Sequence, residues 1–326
     1  MGESTNNTQE QARLVQHGKR GKMNPNHRYL LIVNPEAGSR RTMQALPEID
    51  HLLRKRGAKF EFHFTDEPGH ATQLVQEIGR DFDVVVSVGG DGTINEILNG
   101  MPELDMPLGI IPIGTGNDFA RSCSIPVDSV TTAIDILLAH DVKTLDVGEV
   151  NGRRFINVMG IGFEGRANDI GQKLSFLKGA PKYIIAIGFT FFSYKRIPMH
   201  IEFNDMVLDE DMFLLSIGNG WNVGGGLQLT PKAQLDDGVF DLCVVKNIGK
   251  MRIISNFLKL YDGTITDLPE IEQYKTNKIL IESDVAIPVH TDGERVLPVP
   301  HRFDVSIHPA AQQMIGNWSA DKRQLG

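Results

Sequence analysis

The strongest chemical signal in the chain is the run Gly89-Gly90-Asp91-Gly92-Thr93. It follows a β-branched stretch, Asp83 to Val88, and leads into a predicted helix start that carries Ile94, Asn95 and Glu96. Glycines let the backbone turn tightly and approach a ligand, while the following helix offers unpaired N–H groups and the positive end of its dipole to an anion. The turn is therefore suited to phosphate. A ligand-free strand-to-helix turn would favour glycine too, but open α/β sheets bind their ligands at the carboxyl ends of parallel strands, where this turn falls.

A second turn, Gly114-Thr115-Gly116-Asn117-Asp118, follows the next predicted strand in the same way, and Asn34-Pro35-Glu36-Ala37-Gly38 ends the first. All three would converge on one crevice. Farther on lie two acidic turns, Leu235-Asp236-Asp237-Gly238 and Thr291-Asp292-Gly293-Glu294. Carboxylates beside glycine can hold a hard cation or accept a proton, although Asp-Gly alone is also an ordinary hairpin turn.

Other signatures fail. No GxxxxGK[ST] occurs, which removes a P-loop. Gly160 to Gly165 matches GxGxxG, but the residues about 20 positions on supply neither an acid nor a second strand. Ser175 and Lys178 match SxxK without its partner motifs. Cys123 and Cys243 are isolated and form no metal or disulfide pattern.

The elements that must position these turns are read from periodicity. Residues 1–27 are polar and are expected to form a mobile tail. From Arg28 strands and helices alternate: Tyr29 to Val33, a helix over Thr42 to Lys55, Lys59 to Phe64, a helix over Ala71 to Ile78, Asp83 to Val88, Thr93 to Leu98, Leu108 to Ile111, and a helix over Val130 to Ala139. Such alternation implies a parallel sheet covered on both faces. After about residue 147 shorter, β-rich segments take over, interrupted by helical stretches near Ala167 to Tyr194 and Lys250 to Tyr261. The expected division is a catalytic domain over 28–147, a β-rich domain over 148–309, and a last helix over 310–326 whose packing on the first domain periodicity leaves open.

At 326 residues, with 41% hydrophobic and 23% charged side chains, the chain can bury two cores of ordinary size. A formal charge of −8 opposes binding to a phosphate backbone, so nucleic acid is excluded as a partner. The longest apolar run, Tyr183 to Tyr194, is about half of the ~20 residues a membrane span needs. The segment 172–196 nevertheless holds Lys173, Lys178, Lys182, Lys195 and Arg196, no acid, and many aromatic and aliphatic residues. It suits contact with anionic lipid head groups, and equally an ordinary core helix with a solvated basic face.

Together the motifs resemble the bacterial diacylglycerol kinase family, soluble lipid kinases whose catalytic domain is shared with sphingosine and ceramide kinases. The likeness runs from about Tyr29 to Asp304 and rests on Val33-Asn34-Pro35 with Gly38, Gly89 to Thr93, GTGNDFA at Gly114 to Ala120, Leu229-Thr230-Pro231 with Asp237-Gly238, and Asp292-Gly293-Glu294. GGDGT alone is shared with NAD kinases. The resemblance implies an α/β nucleotide domain, a C-terminal β-sandwich and ATP at the cleft between them. It implies ATP contacts from Asn34, Pro35, Gly38, Thr65, Gly89, Gly90, Asp91, Gly92, Thr93, Ile94, Asn95, Glu96, Gly114, Thr115 and Asn117. Asp91 and Asp118 would organise catalytic Mg²⁺. Asp237, with the carbonyls of Gln234 and Val239, would bind a second, structural Mg²⁺. Asp292 and Glu294 share the general-base position, with the choice between them open. Glu36-Ala37 departs from the small hydroxylated residue usual before Gly38.

The expected function is transfer of the ATP γ-phosphate to a lipid hydroxyl, diacylglycerol first, by a cytoplasmic protein resting on the inner face of the membrane. An exposed strand edge in the second domain would permit a homodimer. The alternatives are an NAD kinase acting on a soluble ribose hydroxyl, and a non-catalytic nucleotide- or lipid-binding module.

Overall fold

The computed structural model describes residues 26–101, 105–173, 188, 190–191, 193–296 and 301–319. The tail up to residue 25, the SxxK pair, most of the basic segment 172–196 and residues 320–326 lie outside that set.

The first half is an alternation of strands and helices: β1 (Arg28–Val33), α1 (Ala37–Lys55), β2 (Lys59–Phe64), α2 (His70–Ile78), β3 (Val84–Gly89), α3 (Asp91–Gly100), β4 (Leu108–Pro112), α4 (Asp118–Ser122) and α5 (Val130–Ala139). The strands pair in parallel in the order β2-β1-β3-β4, with Val33 opposite both Phe64 and Val88. Beyond its first residue β1 is wholly buried, and its side chains alternate between two cores. Leu30 and Ile32 pack with Val85, Ile94 and Ile97 on one face, while Tyr29, Leu31 and Val33 pack with Ile49 and Leu53 of α1 on the other. A continuous apolar run is what a strand covered by helices on both faces requires. Because the strands are parallel, the loops after β1, β3 and β4 open at one edge.

The second half supplies β5 (Val142–Val150), β6 (Arg153–Phe155), β7 (Val158–Gly162), α6 (Phe163–Lys173), β8 (Ile197–Phe203), β9 (Met206–Met212), β10 (Leu214–Gly218), β11 (Phe240–Val245), α7 (Lys250–Ser255), α8 (Lys259–Asp262), β12 (Ile271–Thr276), β13 (Lys278–Glu282), β14 (Val289–Thr291), β15 (Glu294–Arg295) and β16 (Arg302–Ile315). One antiparallel sheet has the order β12-β11-β10-β7-β14-β15. It faces the β16-β13-β8-β9 part of the first sheet across a core that includes Ile201, Ile217, Leu242 and Val305, with Phe155 and Phe240 stacked at 5.6 Å. The architecture is thus an α/β parallel-sheet domain followed by a β-sandwich.

Two expectations change. Residues 310–315 are not helix: they finish β16, which pairs antiparallel with β13 and β5 and touches β4 in parallel at Met314–Leu108. A bulge between His308 and Gln312, with Ala310 at φ 50°, interrupts the two-residue alternation and hides the strand. The division expected at 147/148 falls inside β5, so one sheet runs through both halves. The edge strand β9 carries Asp209-Glu210-Asp211 in a row.

Candidate active site

Gly89 ends β3, Gly90 caps α3 in extended geometry, and Asp91 and Gly92 open the helix with their N–H groups free of intrahelical partners. The neighbouring turn is laced to this one, since Ile113 N and Gly114 N both donate to Gly89 O at 2.8 and 2.9 Å. A side chain at Gly90 or Gly114 would strike the other's backbone. The first turn joins them: Gly38 sits at φ 58° against the carbonyl of Ile113, and Arg41 bridges the carbonyls of Gly38 and Gly114 at 3.0 and 2.7 Å. The three turns form one cradle.

The two acids of the cradle hold it in shape. Asp91 accepts from the N–H groups of Asp118 (3.1 Å) and Phe119 (3.0 Å), which fastens α4 to α3. Asp118 in turn accepts from Gly225 N (3.0 Å) and Gly226 N (2.9 Å), which ties a glycine loop of the second half over the first. Burial pushes the pKa of both carboxyls up, and the proximity of Asp118 raises that of Asp91 further. Two carboxylates meeting across Gly116 favour a cation between them. Oxygen-only donors with room for phosphate and water suit Mg²⁺, so this pair fits the expected ion.

At the second expected metal site the carboxylate is engaged in an ion pair. Asp237 Oδ2 is ion-paired to Lys275 Nζ at 2.9 Å, the same ammonium lies 2.9 Å from Asp241, and Asp237 Oδ1 accepts from Val239 N at 3.3 Å. An ammonium already neutralises the carboxylate that was to join the carbonyls of Gln234 and Val239. The turn is anchored instead by Asp146, which accepts from Gly238 N (2.7 Å) and Ala310 N (2.8 Å). Lys275→Met should cost no more than about 1 kcal/mol in a urea titration, the scale of a partly exposed ion pair.

Asp292 and Glu294 differ sharply. Asp292 and Gly293 are the left-handed central pair of the β14–β15 hairpin, at φ 52° and 84°. The Asp292 carboxylate is buried and accepts from Ile156 N (3.0 Å), Asn157 N (2.9 Å), Val158 N (3.1 Å) and Asn95 Nδ2 (2.8 Å). Burial raises its pKa, but each oxygen already has two donors and neither can take a proton without breaking one. Glu294 accepts no hydrogen bond from any described residue, and its Oε1 lies where a side chain at Gly92 would fall. Burial raises its pKa, with Arg153 pulling it back and Glu96 pushing it up. The hairpin is held by His290, whose Nδ1 accepts from Gly293 N at 3.2 Å and whose Nε2 therefore donates to Glu164 at 3.1 Å.

These groups border one cavity of about 650 Å³. Of the expected residues, Asn34, Gly38, Thr65, Gly90, Asp91, Gly92, Thr93, Glu96, Gly114, Thr115, Asp118, Asp292 and Glu294 line it. Pro35, Gly89, Ile94, Asn95 and Asn117 do not: Ile94 is in the core, Asn95 is spent on Asp292, and Asn117 braces its turn through Gly114 O at 3.1 Å. The apolar part of the lining was not foreseen. It includes Phe163, Phe213, Leu229, Ile253, Phe257 and Ile265. Glu164 Oε2 and Asn168 Nδ2, one helical turn apart on α6, border it buried and without partners among the described residues. Glu164 belongs to the GxGxxG match, the one sequence signal that could have drawn attention to it.

Residues 28–150 match the diacylglycerol kinase catalytic domain, and residues 157–316 match the YegS C-terminal NAD kinase beta sandwich-like domain. The diacylglycerol kinase of Bacillus subtilis (strain 168) is 30% identical over 277 residues, covering 84% of this chain and 91% of that protein. That of Staphylococcus saprophyticus is 31% identical, covering 84% and 90%. A crystal structure of a diacylglycerol kinase from Bacillus anthracis superposes with a TM-score of 0.69 at 26% identity, covering 90% of this chain and 98% of that one. Another structure from the same organism gives 0.74 at 30% identity, covering 90% and 99%. Agreement of this extent over both halves makes the chain a member of the diacylglycerol kinase catalytic domain family.

Proposed function

We infer that this protein is an ATP-dependent lipid kinase that phosphorylates the free hydroxyl of diacylglycerol to give phosphatidic acid. The observation that carries the reading is a single cavity lined by the glycine cradle, by apolar side chains of the second half and by Glu294, a half-buried carboxylate beside Gly92 with no hydrogen-bond donor among the described residues.

The cradle holds the phosphates of ATP through the open N-terminus of α3 and the turns at Gly38 and Gly114. Asp91 and Asp118 would hold Mg²⁺, which when bound neutralises charge on the transferring phosphoryl group. Glu294 takes the proton from the lipid hydroxyl as its oxygen attacks the γ-phosphorus in line with the bridging oxygen, whose bond breaks to release ADP, and Asp292 fixes the hairpin on which Glu294 stands. Little covalent chemistry falls to the protein, so positioning and electrostatics supply most of the acceleration. The apolar chamber takes the proximal part of the acyl chains, which a soluble ribose substrate would leave exposed to no purpose. Among the described residues no helix is long and apolar enough to cross a membrane, so the lipid must be met at a surface. A peripheral position on the inner leaflet, where ATP is available, completes the proposal.

The test is transfer of label from [γ-³²P]ATP with Mg²⁺ to dioleoylglycerol in phosphatidylglycerol vesicles, run beside NAD. Labelled phosphatidic acid is expected. Label in NADP, or ATP binding with no transfer to any alcohol, would overturn the reading.

A further inference from the structure

The apolar part of the cavity is closed on one side by α7, α8 and the turn between them. Ile253, Phe257 and Leu260 of this segment line the cavity. Met251, Ile254, Leu258 and Tyr261 of the same segment are directed the other way, with 74, 52, 78 and 48% of their surface exposed. A helical segment on a globular surface normally hides one apolar face and shows a polar one. This one is apolar on both sides. The other large exposed apolar side chains among the described residues, Met43, Phe64, Met206, Val207 and Val285, are scattered over other elements.

We propose that α7, residues 256–258 and α8 are the face with which the protein settles on an anionic phospholipid surface, so that a lipid reaches the cavity directly beneath the segment that touches the bilayer. The proposal rests on the lipid-kinase reading and names the element that meets the substrate's membrane. Two observations favour a bilayer over other occupants. The outward apolar side chains sit back to back with the wall of the chamber, so the surface they mark is continuous with the place an acyl chain must enter. The charge also suits an anionic leaflet: residues 246–262 carry Lys246, Lys250, Arg252 and Lys259 against Asp262 alone, in a chain of net charge −8. Lys246 is already paired with Glu210 and Glu272, and Arg252 with Glu270, so burial of the apolar side chains supplies most of the attraction.

The full chain and its Met251→Ser/Leu258→Ser variant would be compared, since neither residue borders the cavity. Flotation with phosphatidylcholine/phosphatidylglycerol vesicles should show at least a tenfold loss of partition in the variant, on the order expected for removing two large buried side chains. Phosphorylation of long-chain diacylglycerol in vesicles should fall in parallel, while that of monomeric dihexanoylglycerol should stay within about twofold, because the site itself is untouched. Undiminished partition of the variant would overturn the proposal. So would sedimentation showing that the wild type is an assembly which the variant breaks into single chains, for then a second copy covers this face. Vesicle partition is read without turnover, so a protein that docks as described yet phosphorylates no lipid would sink the kinase reading and not the docking face.

Discussion

Glu294→Gln should lower kcat by about 10²- to 10⁴-fold while leaving the thermal midpoint and ATP affinity near those of the wild type. No described residue donates a hydrogen bond to this carboxylate, so an isosteric amide disturbs nothing that holds the hairpin. What it removes is an acceptor facing the open end of α3 beside Gly92. Burial lifts the Glu294 pKa above the ordinary value of about 4.3, toward the range in which a carboxylate is a useful base. The sign of the pH dependence follows. The base must be ionised to act, so kcat should rise with pH through an acid limb displaced above the usual glutamate range and then level. Single-turnover phosphoryl transfer measured beside a melting curve checks both parts. A folded Gln variant with wild-type turnover would remove Glu294 from the chemistry.

Asp292→Asn should do the reverse, destabilising the protein by about 3–5 kcal/mol, with lost activity following from lost structure. Its carboxylate is an acceptor shared by the N–H groups of Ile156, Asn157 and Val158 and by the amide of Asn95. An amide would turn an NH₂ toward some of those donors and leave at least two buried groups unsatisfied. Equilibrium unfolding in urea gives the difference. Unchanged stability with turnover abolished would exchange the roles of the two acids.

The parallel-sheet half was legible because its signals are local and redundant: each buried strand is a continuous apolar run that stops at a turn, at Asn34-Pro35, Gly89-Gly90 or just before Gly114, and each helix has its own stripe. The cradle was legible for the same reason, since Gly38, Gly90, Gly92 and Gly114 each sit where a side chain would collide with a neighbour. The choice between Asp292 and Glu294 was not, because it depends on donors more than a hundred residues away at Asn95 and Ile156 to Val158. Nor was the apolar chamber, whose walls come from α6, β10, the loop near Leu229 and α7, pieces with no common pattern in sequence. Asp237 illustrates a third kind of limit. Its carboxylate is claimed by Lys275, one strand over, and nothing in the turn itself announces that partner.

The last strand sets the timetable of the protein's manufacture. Between residues 302 and 315 β16 supplies the hydrogen-bonding partner of β5 and β13 and reaches β4, so the central sheet lacks an interior row until that stretch has left the ribosome. Such distant pairing is slow to form, and the nascent nucleotide half must wait with the flank of β4 uncovered. A stop codon near position 300 would accordingly yield insoluble product, not a smaller working enzyme.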